Sequence, residues 1–239
     1  MLSPLVQRLS ARDELSDHER SVLDAITTHV RTVPAREDIV RQHERVTAST
    51  LLLEGFAARY KILGTGTRQI TSFQLPGDFV DLHGFLMHRL DHGVTALSEC
   101  RVAVVPHEAI KRITEEQPHL ARLLWLDTVI DGAIHREWLV AMGRLSATGH
   151  AAHLICELYL RLDEIGRVQN ETFHVPVTQE DLGDALGVSG VQVNRSLQEL
   201  RRAGLITWRG KTVTVLDWKR LAKVGEFDPT YLNLLREPR

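Results

Sequence analysis

Val191, Asn194, Arg195, Gln198 and Arg202 recur along the stretch SGVQVNRSLQELRR at spacings that share one side of a helix. Between them Val193, Leu197 and Leu200 step by four and three and would face a core. Amide and guanidinium groups carry the chemistry of base recognition. Asn and Gln can bond bidentately to adenine, Arg does so with guanine, and Arg also neutralises phosphate. A face built only to meet a polyanion would need nothing beyond lysines. The mixed face is one that reads bases.

Such a face needs a scaffold, and the flanking sequence supplies it. Thr178, followed three residues later by Asp181, has the spacing of a helix N-terminus, with Thr178 capping free amides. The helix QEDLGDAL stops at Gly187, a residue type that tolerates the left-handed conformation of a helix end. Ser189 opens the next helix with Gln192 three residues on, the spacing of a capping box. Two helices joined by so short a glycine turn make a helix-turn-helix. Directly after it, GLITWRGKTVTVLD forms a two-strand hairpin turned at Arg209-Gly210-Lys211, a wing with a basic tip. An ordinary solvated helix face would not come with that wing.

The chain of 239 residues has a net charge of −2, so bulk charge does not point to nucleic acid. Between Ala185 and Lys223 the balance changes. Arg195, Arg201, Arg202, Arg209, Lys211, Lys219, Arg220 and Lys223 stand against Glu199 and Asp217 alone, a local charge of +6. Local sign steers a polyanion more than total charge does. Cys100 and Cys156 lie far apart and form no CxxC pair, which supports neither a disulfide framework nor a thiolate zinc site. A signal pattern and a bilayer-length apolar run are both missing, as expected of a soluble cytoplasmic protein with no membrane partner.

Upstream the texture changes twice. Residues 15–30 mix apolar and charged types at helical spacing. From about Val33 to Pro106, short apolar runs such as TLLLEGFAARYKIL, RQITSFQL and CRVAVV alternate with turn signals, the pattern of an all-β sandwich or barrel. HEAIKRITEEQ reads as a short helix stopped by Pro118, and the segment to Arg144 as about seven turns of helix. On that long helix Leu123, Leu126, Ile130 and Ala133 make one stripe, while Ile134, Trp138 and Ala141 make a neighbouring one. One stripe suits the β domain and the other a partner helix, so Leu123, Leu126, Ile130, Ala133 and Ile134 are the expected dimer-helix residues. A helix buried within one monomer fits the same periodicity. A further helix runs from Ser146 to Gly166, and RVQNETFHVP reads as a loop.

These motifs together resemble the Crp/Fnr family of bacterial transcription regulators over nearly the whole chain. VTQEDLGDALGVSGVQVNRSLQELRRAGLITWRGKTVTV resembles its DNA-binding domain, and LLLEGFAARYKIL and FQLPGDFVDLHGFL resemble its cyclic-nucleotide-binding jelly roll. The resemblance implies an α+β chain in three parts: a β jelly-roll sensor over residues 1–117, a dimerisation helix over 118–145 and a winged helix-turn-helix over 146–239. It implies no enzyme, but a homodimer that reads a two-fold-symmetric site on double-stranded DNA through paired major-groove helices. RNA polymerase is a further implied partner. Carried over by position, Thr178, Ser189, Gln192, Arg209 and Lys211 fall on backbone contacts and Arg195 on the arginine that reads a guanine. Gly190, Val191, Asn194, Gln198 and Arg202 complete the expected DNA-binding set. Many members place an Arg-Glu or Val-Glu pair where this chain has Gly190 and Val191, so a different half-site is expected, with Val191 meeting a thymine methyl.

The sensor departs further. Members that bind cyclic AMP carry Gly-Glu-Leu after the PGDF turn and an Arg-Ser or Arg-Thr pair later. Val80-Asp81-Leu82-His83 and His92-Gly93-Val94-Thr95 stand there instead. Without the Glu and the Arg a buried cyclic phosphate is poorly compensated, which argues against cyclic AMP. The N-terminal cysteine cluster of the iron–sulfur members is also missing. Asp81, Leu82, His83, His92 and Thr95 are the expected pocket for an unidentified small-molecule effector. His83, His88 and His92, with Cys100 nearby, leave haem or a transition metal open as a sensor cofactor, although no metal site is assigned. His150 and His153 are expected to be structural. A cupin-like metal-dependent enzyme would need a His-x-His pair and a downstream Glu, which the chain lacks. A degenerate sensor joined to a constitutive DNA-binding domain fits the sequence as well.

Overall fold

Neighbouring apolar residues in a strand face opposite ways, so runs such as TLLLE and CRVAVV need apolar partners on both faces. The computed structural model, which describes residues 3–239, supplies both. Contacts group the chain into two units. The first holds the described residues up to Lys61, Ser72–Gly132 and Asn233–Arg239; the second holds Ile62–Thr71 and Ala133–Leu232.

The first unit begins with helices α1 (Pro4–Arg12) and α2 (Asp17–Ile26). Ser3 caps α1, and Ser16 with Glu19 makes a capping box on α2. No helix was expected at α1, although Ser followed by Pro is a helix-start signal. The helix expected over 15–30 ends at Ile26, and Val30 already lies in a strand. Strands β1 (Val30–Val33), β2 (Asp38–Val40), β3 (Ala48–Glu54), β4 (Ala57–Ile62) and β5 (Arg68–Gln74) follow, then the single turn α3 (Gly84–Met87). Strands β6 (Gly93–Ala96) and β7 (Cys100–Pro106) and helix α4 (His107–Glu116) complete the set. The strands form sheets ordered β1-β7-β3 and β2-β6-β4-β5. Strand parity explains the core. Leu52, Cys100 and Val102 join Val80, Val94 and Ala96 in one apolar cluster, while Leu51, Ala103 and Val105 pack with Leu5, Leu9, Leu23, Ile110 and Leu120 in another. One sheet therefore carries a barrel interior on one face and helices on the other. Arg8 of α1 pairs with Asp78 of the PGDF turn and with Asp127 (2.7 Å).

Helix α5 (Pro118–Arg144) runs over the expected residues and gives its first half to the first unit and its second half to the second. Three of the expected dimer residues need correction. Leu123, Ile130 and Ile134 are 1%, 4% and 3% exposed within a single chain, and Leu126 and Ala133 are half-buried. Leu123, Ile130 and Ile134 therefore serve the chain's own core. The exposed apolar residues of α5 are Trp125, Val129, Leu139, Val140 and Met142.

The second unit continues with α6 (Ala147–Asp163), capped by Ser146, and β8 (Thr172–His174) within the segment expected to be a loop. Helices α7 (Gln179–Leu186) and α8 (Gly190–Arg202), strands β9 (Ile206–Arg209) and β10 (Thr212–Val215), and α9 (Trp218–Val224) follow. Strand β10 lies between β8 and β9, so the expected two-strand wing is a three-strand sheet.

Candidate nucleic-acid interface

The turn between α7 and α8 is held by backbone conformation and caps. Thr178 accepts from the Asp181 amide, and Asp181 accepts from the Thr178 amide and hydroxyl, a reciprocal box at the start of α7. Gly187 ends α7 at φ 68°, the left-handed region that favours glycine. Gly183 lets the turn close, since a Cβ there would stand 2.8 Å from the Val188 carbonyl. Ser189 caps α8 by accepting from the Gln192 amide, but the return bond of a full capping box is missing, because the Gln192 side chain does not reach back.

Val193, Leu197 and Leu200 are buried, and Val191, Arg195, Gln198 and Arg202 are exposed on the other side of α8. Asn194 and Gln192 are half-buried, and Thr178, Ser189, Gly190, Arg209 and Lys211 are exposed. Gly190, Val191, Asn194, Arg195 and Gln198 line an open concavity of about 430 Å³ together with Gln179, the first residue of α7. Gln179 was missed in the sequence because a single exposed residue beside a cap carries no periodicity. Across the concavity, the Gln198 side-chain amide donates to Asn194 Oδ1 at 2.9 Å.

Two of the eight cations counted in this region have structural duties. Arg201 donates to the Trp208 carbonyl, and Arg220 donates to the Ala203 carbonyl. The second unit also includes the β4–β5 turn, which the sequence did not connect with it. Arg68 donates to Asp181 Oδ1 (2.8 Å) and to Asp184 Oδ2 (2.6 Å), and the Gln69 amide donates to the Asp184 carbonyl. Behind α7 and α8, the His153 ring lies between the Gly225 carbonyl and the Tyr231 hydroxyl, and the buried His150 ring meets Trp138 edge-on. Burial, together with the nearby His153, holds the His150 pKa down at about 4, against a hydrogen bond to the Leu186 backbone.

In the first unit the expected effector residues separate. The His83 and His92 rings lie 5.0 Å apart, and burial drives the His83 pKa down to about 4. Asp81 is fixed by the Thr50 amide and raised to about 7 by burial, and its second oxygen is buried without a hydrogen-bond partner. The Thr95 hydroxyl donates to the Glu37 carbonyl. Leu82 packs instead against the apolar cluster around Leu5 and Leu51, so it is withdrawn from the expected pocket. Arg59 of β4 is buried and bonds to Asp131 and to the Val80 carbonyl. Cys100 is buried, and that burial pushes its thiol up to about 11. Among the described residues no group of three or more His, Cys, Asp or Glu is placed to hold a metal ion.

Comparison with known proteins agrees with this geometry. The Crp-like helix-turn-helix domain family matches residues 150–224, and the cyclic nucleotide-binding domain family matches residues 30–117. The chain is 26% identical over 198 residues to the transcriptional activator protein FnrL of Cereibacter sphaeroides, covering 81% of this chain and 79% of that protein. It is 28% identical over 186 residues to the nitrogen fixation regulation protein FixK of Bradyrhizobium diazoefficiens, covering 77% of each. Its fold is similar to the solved structure of FixK2 from Bradyrhizobium japonicum, with a TM-score of 0.72 at 22% identity over 82% of this chain and 96% of that one.

Proposed function

The chain belongs to the Crp/Fnr family of transcription regulators, and from that premise we propose that it acts as a cytoplasmic homodimer on a two-fold-symmetric DNA site. Its work is regulatory and not enzymatic. The observation that carries this reading is the composition of the α8 face: Asn194, Arg195 and Gln198 stand exposed or half-exposed around one concavity, opposite a buried face of Val193, Leu197 and Leu200 with Ser196. Arg195 discriminates bases by direct contact and Gln198 contributes to the discrimination from the same face; Thr178, Ser189, Gln192, Arg209 and Lys211 contact the backbone and set the register.

The dimer forms along α5. Trp125, Val129, Gly132, Leu139 and Gly143 recur at steps of four, three, seven and four, a heptad seam, and Trp125 and Leu139 are each 72% exposed. No helix among the described residues is long and apolar enough to cross a membrane. The sensor takes a small effector other than cyclic AMP near His83 and His92, and RNA polymerase is the partner through which the bound dimer acts.

Arg195→Ala tests the reading. Affinity for the preferred site should fall by about 1–3 kcal/mol, with relaxed preference at one base pair, while mixed-sequence DNA loses less. An equal fall on both would reduce Arg195 to a phosphate contact.

A further inference from the structure

Asn194 does not offer the base pairs both ends of its amide. Its Oδ1 already accepts from the Gln198 amide at 2.9 Å, one turn further along the same face. The Nδ2 group, a donor, takes no part in that bond. An Asn that reads adenine must accept from N6 while donating to N7, and here one of the two lone pairs of the accepting atom is already engaged, which fixes the amide away from that pairing. Three residues before it, Val191 is 74% exposed, an apolar side chain in a concavity otherwise lined by Gln179, Gly190, Asn194, Arg195 and Gln198. Nothing in the apolar core needs it. Gly190 beside it leaves space, since a Cβ there would meet nothing within 4 Å, so a base edge can come close to the start of α8.

We infer that Val191 and Asn194 together select one thymine in each half-site, with Gln198 as the positioning residue that fixes the Asn194 amide. This rests on the DNA-reading function proposed above and specifies what that face reads. Thymine is the only natural base whose major-groove edge sets an apolar methyl beside an acceptor, O4. Val191 covers the methyl, and Asn194 donates to O4; residues three apart on a helix stand close enough to share one base. Cytosine is rejected twice, because it lacks the methyl and turns an amino donor toward the Asn194 donor. Adenine lacks the methyl and must share the Asn194 acceptor with Gln198.

The test uses a duplex of about three helical turns, taken from sites that the full-length protein enriches out of a random pool. Each dT of a half-site is replaced in turn by dU, which removes only the methyl, and by dA. Affinities of wild type, Val191→Ala and Gln198→Ala are measured by fluorescence anisotropy at one salt concentration, with circular dichroism confirming that the variants fold. One dT per half-site should lose about fourfold on conversion to dU, the effect of uncovering one methyl group. That loss should vanish in Val191→Ala, which binds the dT duplex about as weakly as wild type binds dU. Gln198→Ala frees the Asn194 amide to turn, so its penalty for dA at the same position should shrink. If no dT is sensitive to loss of its methyl, or if Val191→Ala keeps that sensitivity, the inference is overturned while DNA reading stands. An unchanged dA penalty in Gln198→Ala overturns the positioning role. Failure to enrich any site would instead bring down the DNA-reading function, and this inference with it.

Discussion

Removing Arg68 should weaken the DNA-binding unit from a residue that lies far from it in sequence. The Asp181 side chain is fully buried, and Arg68, 23% exposed, is its cationic partner. Taking one member from a fully buried pair costs about 3–5 kcal/mol, because the other charge is left in a medium that cannot solvate it. Two features reduce that figure here. Asp181 keeps the two Thr178 hydrogen bonds, and the partial exposure of Arg68 lets water enter the space it leaves. About 2 kcal/mol is therefore expected for Arg68→Ala, or about 1 M off the urea midpoint at a slope near 2 kcal/mol/M. Arg68→Lys should fall between, since an ammonium cannot fork to Asp181 and Asp184 as a guanidinium does. Tryptophan fluorescence can follow the transition, because Trp138, Trp208 and Trp218 lie in the second unit and Trp125 alone lies in the first. A Trp125→Phe background removes that one. A loss below about 0.5 kcal/mol, the size of an exposed surface pair, would show that Thr178 alone satisfies Asp181 and would refute the reasoning.

Acid should loosen the same unit through His150. Its folded pKa of about 4 lies below the ordinary 6.5, so the stability from its neutral form is complete above pH 6.5 and is lost as pH falls toward 4. The loss should be on the order of 2 kcal/mol at pH 5, and His150→Gln should flatten melting temperature against pH; an unchanged slope would remove His150 from the account. Leu139→Glu puts a charge into the α5 seam without touching the core, and sedimentation should show a folded monomer at micromolar concentration, whereas a persisting dimer would move the interface elsewhere. Cyclic AMP should give no binding heat, since the buried Arg59 is paired with Asp131 and Asp81, Leu82, Val94 and Thr95 supply no guanidinium for the cyclic phosphate. Low-micromolar binding would contradict this.

The DNA-binding unit was legible because its signals are local. Thr178 and Ser189 mark helix starts through their side-chain caps and Gly187 a helix end through its backbone, and Val193, Leu197 and Leu200 mark a core face by period alone. What escaped depends on distant partners or short elements. Strand β8 has three residues, too few to show alternation, and exists because β10 pairs with it. Arg68 is more than a hundred residues from Asp181, and nothing in its neighbourhood announces the pair. On α5 the more continuous apolar stripe was the core face, while the exposed seam includes two glycines, Gly132 and Gly143, and is interrupted by Arg136, so it reads poorly as a contact surface. In the sensor, Asp81 and Leu82 are adjacent, and adjacency in sequence concealed that Leu82 packs against an apolar cluster while Asp81 is held by the Thr50 amide.

Selection of binding sites from a random duplex library by the full-length protein tests the central claim most directly. The account predicts enrichment of a two-fold-symmetric sequence whose half-sites are centred about 34 Å apart, one turn of DNA, with the enrichment lost in Arg195→Ala. Enrichment of a single asymmetric site, or of none beyond general affinity for duplex DNA, would contradict it.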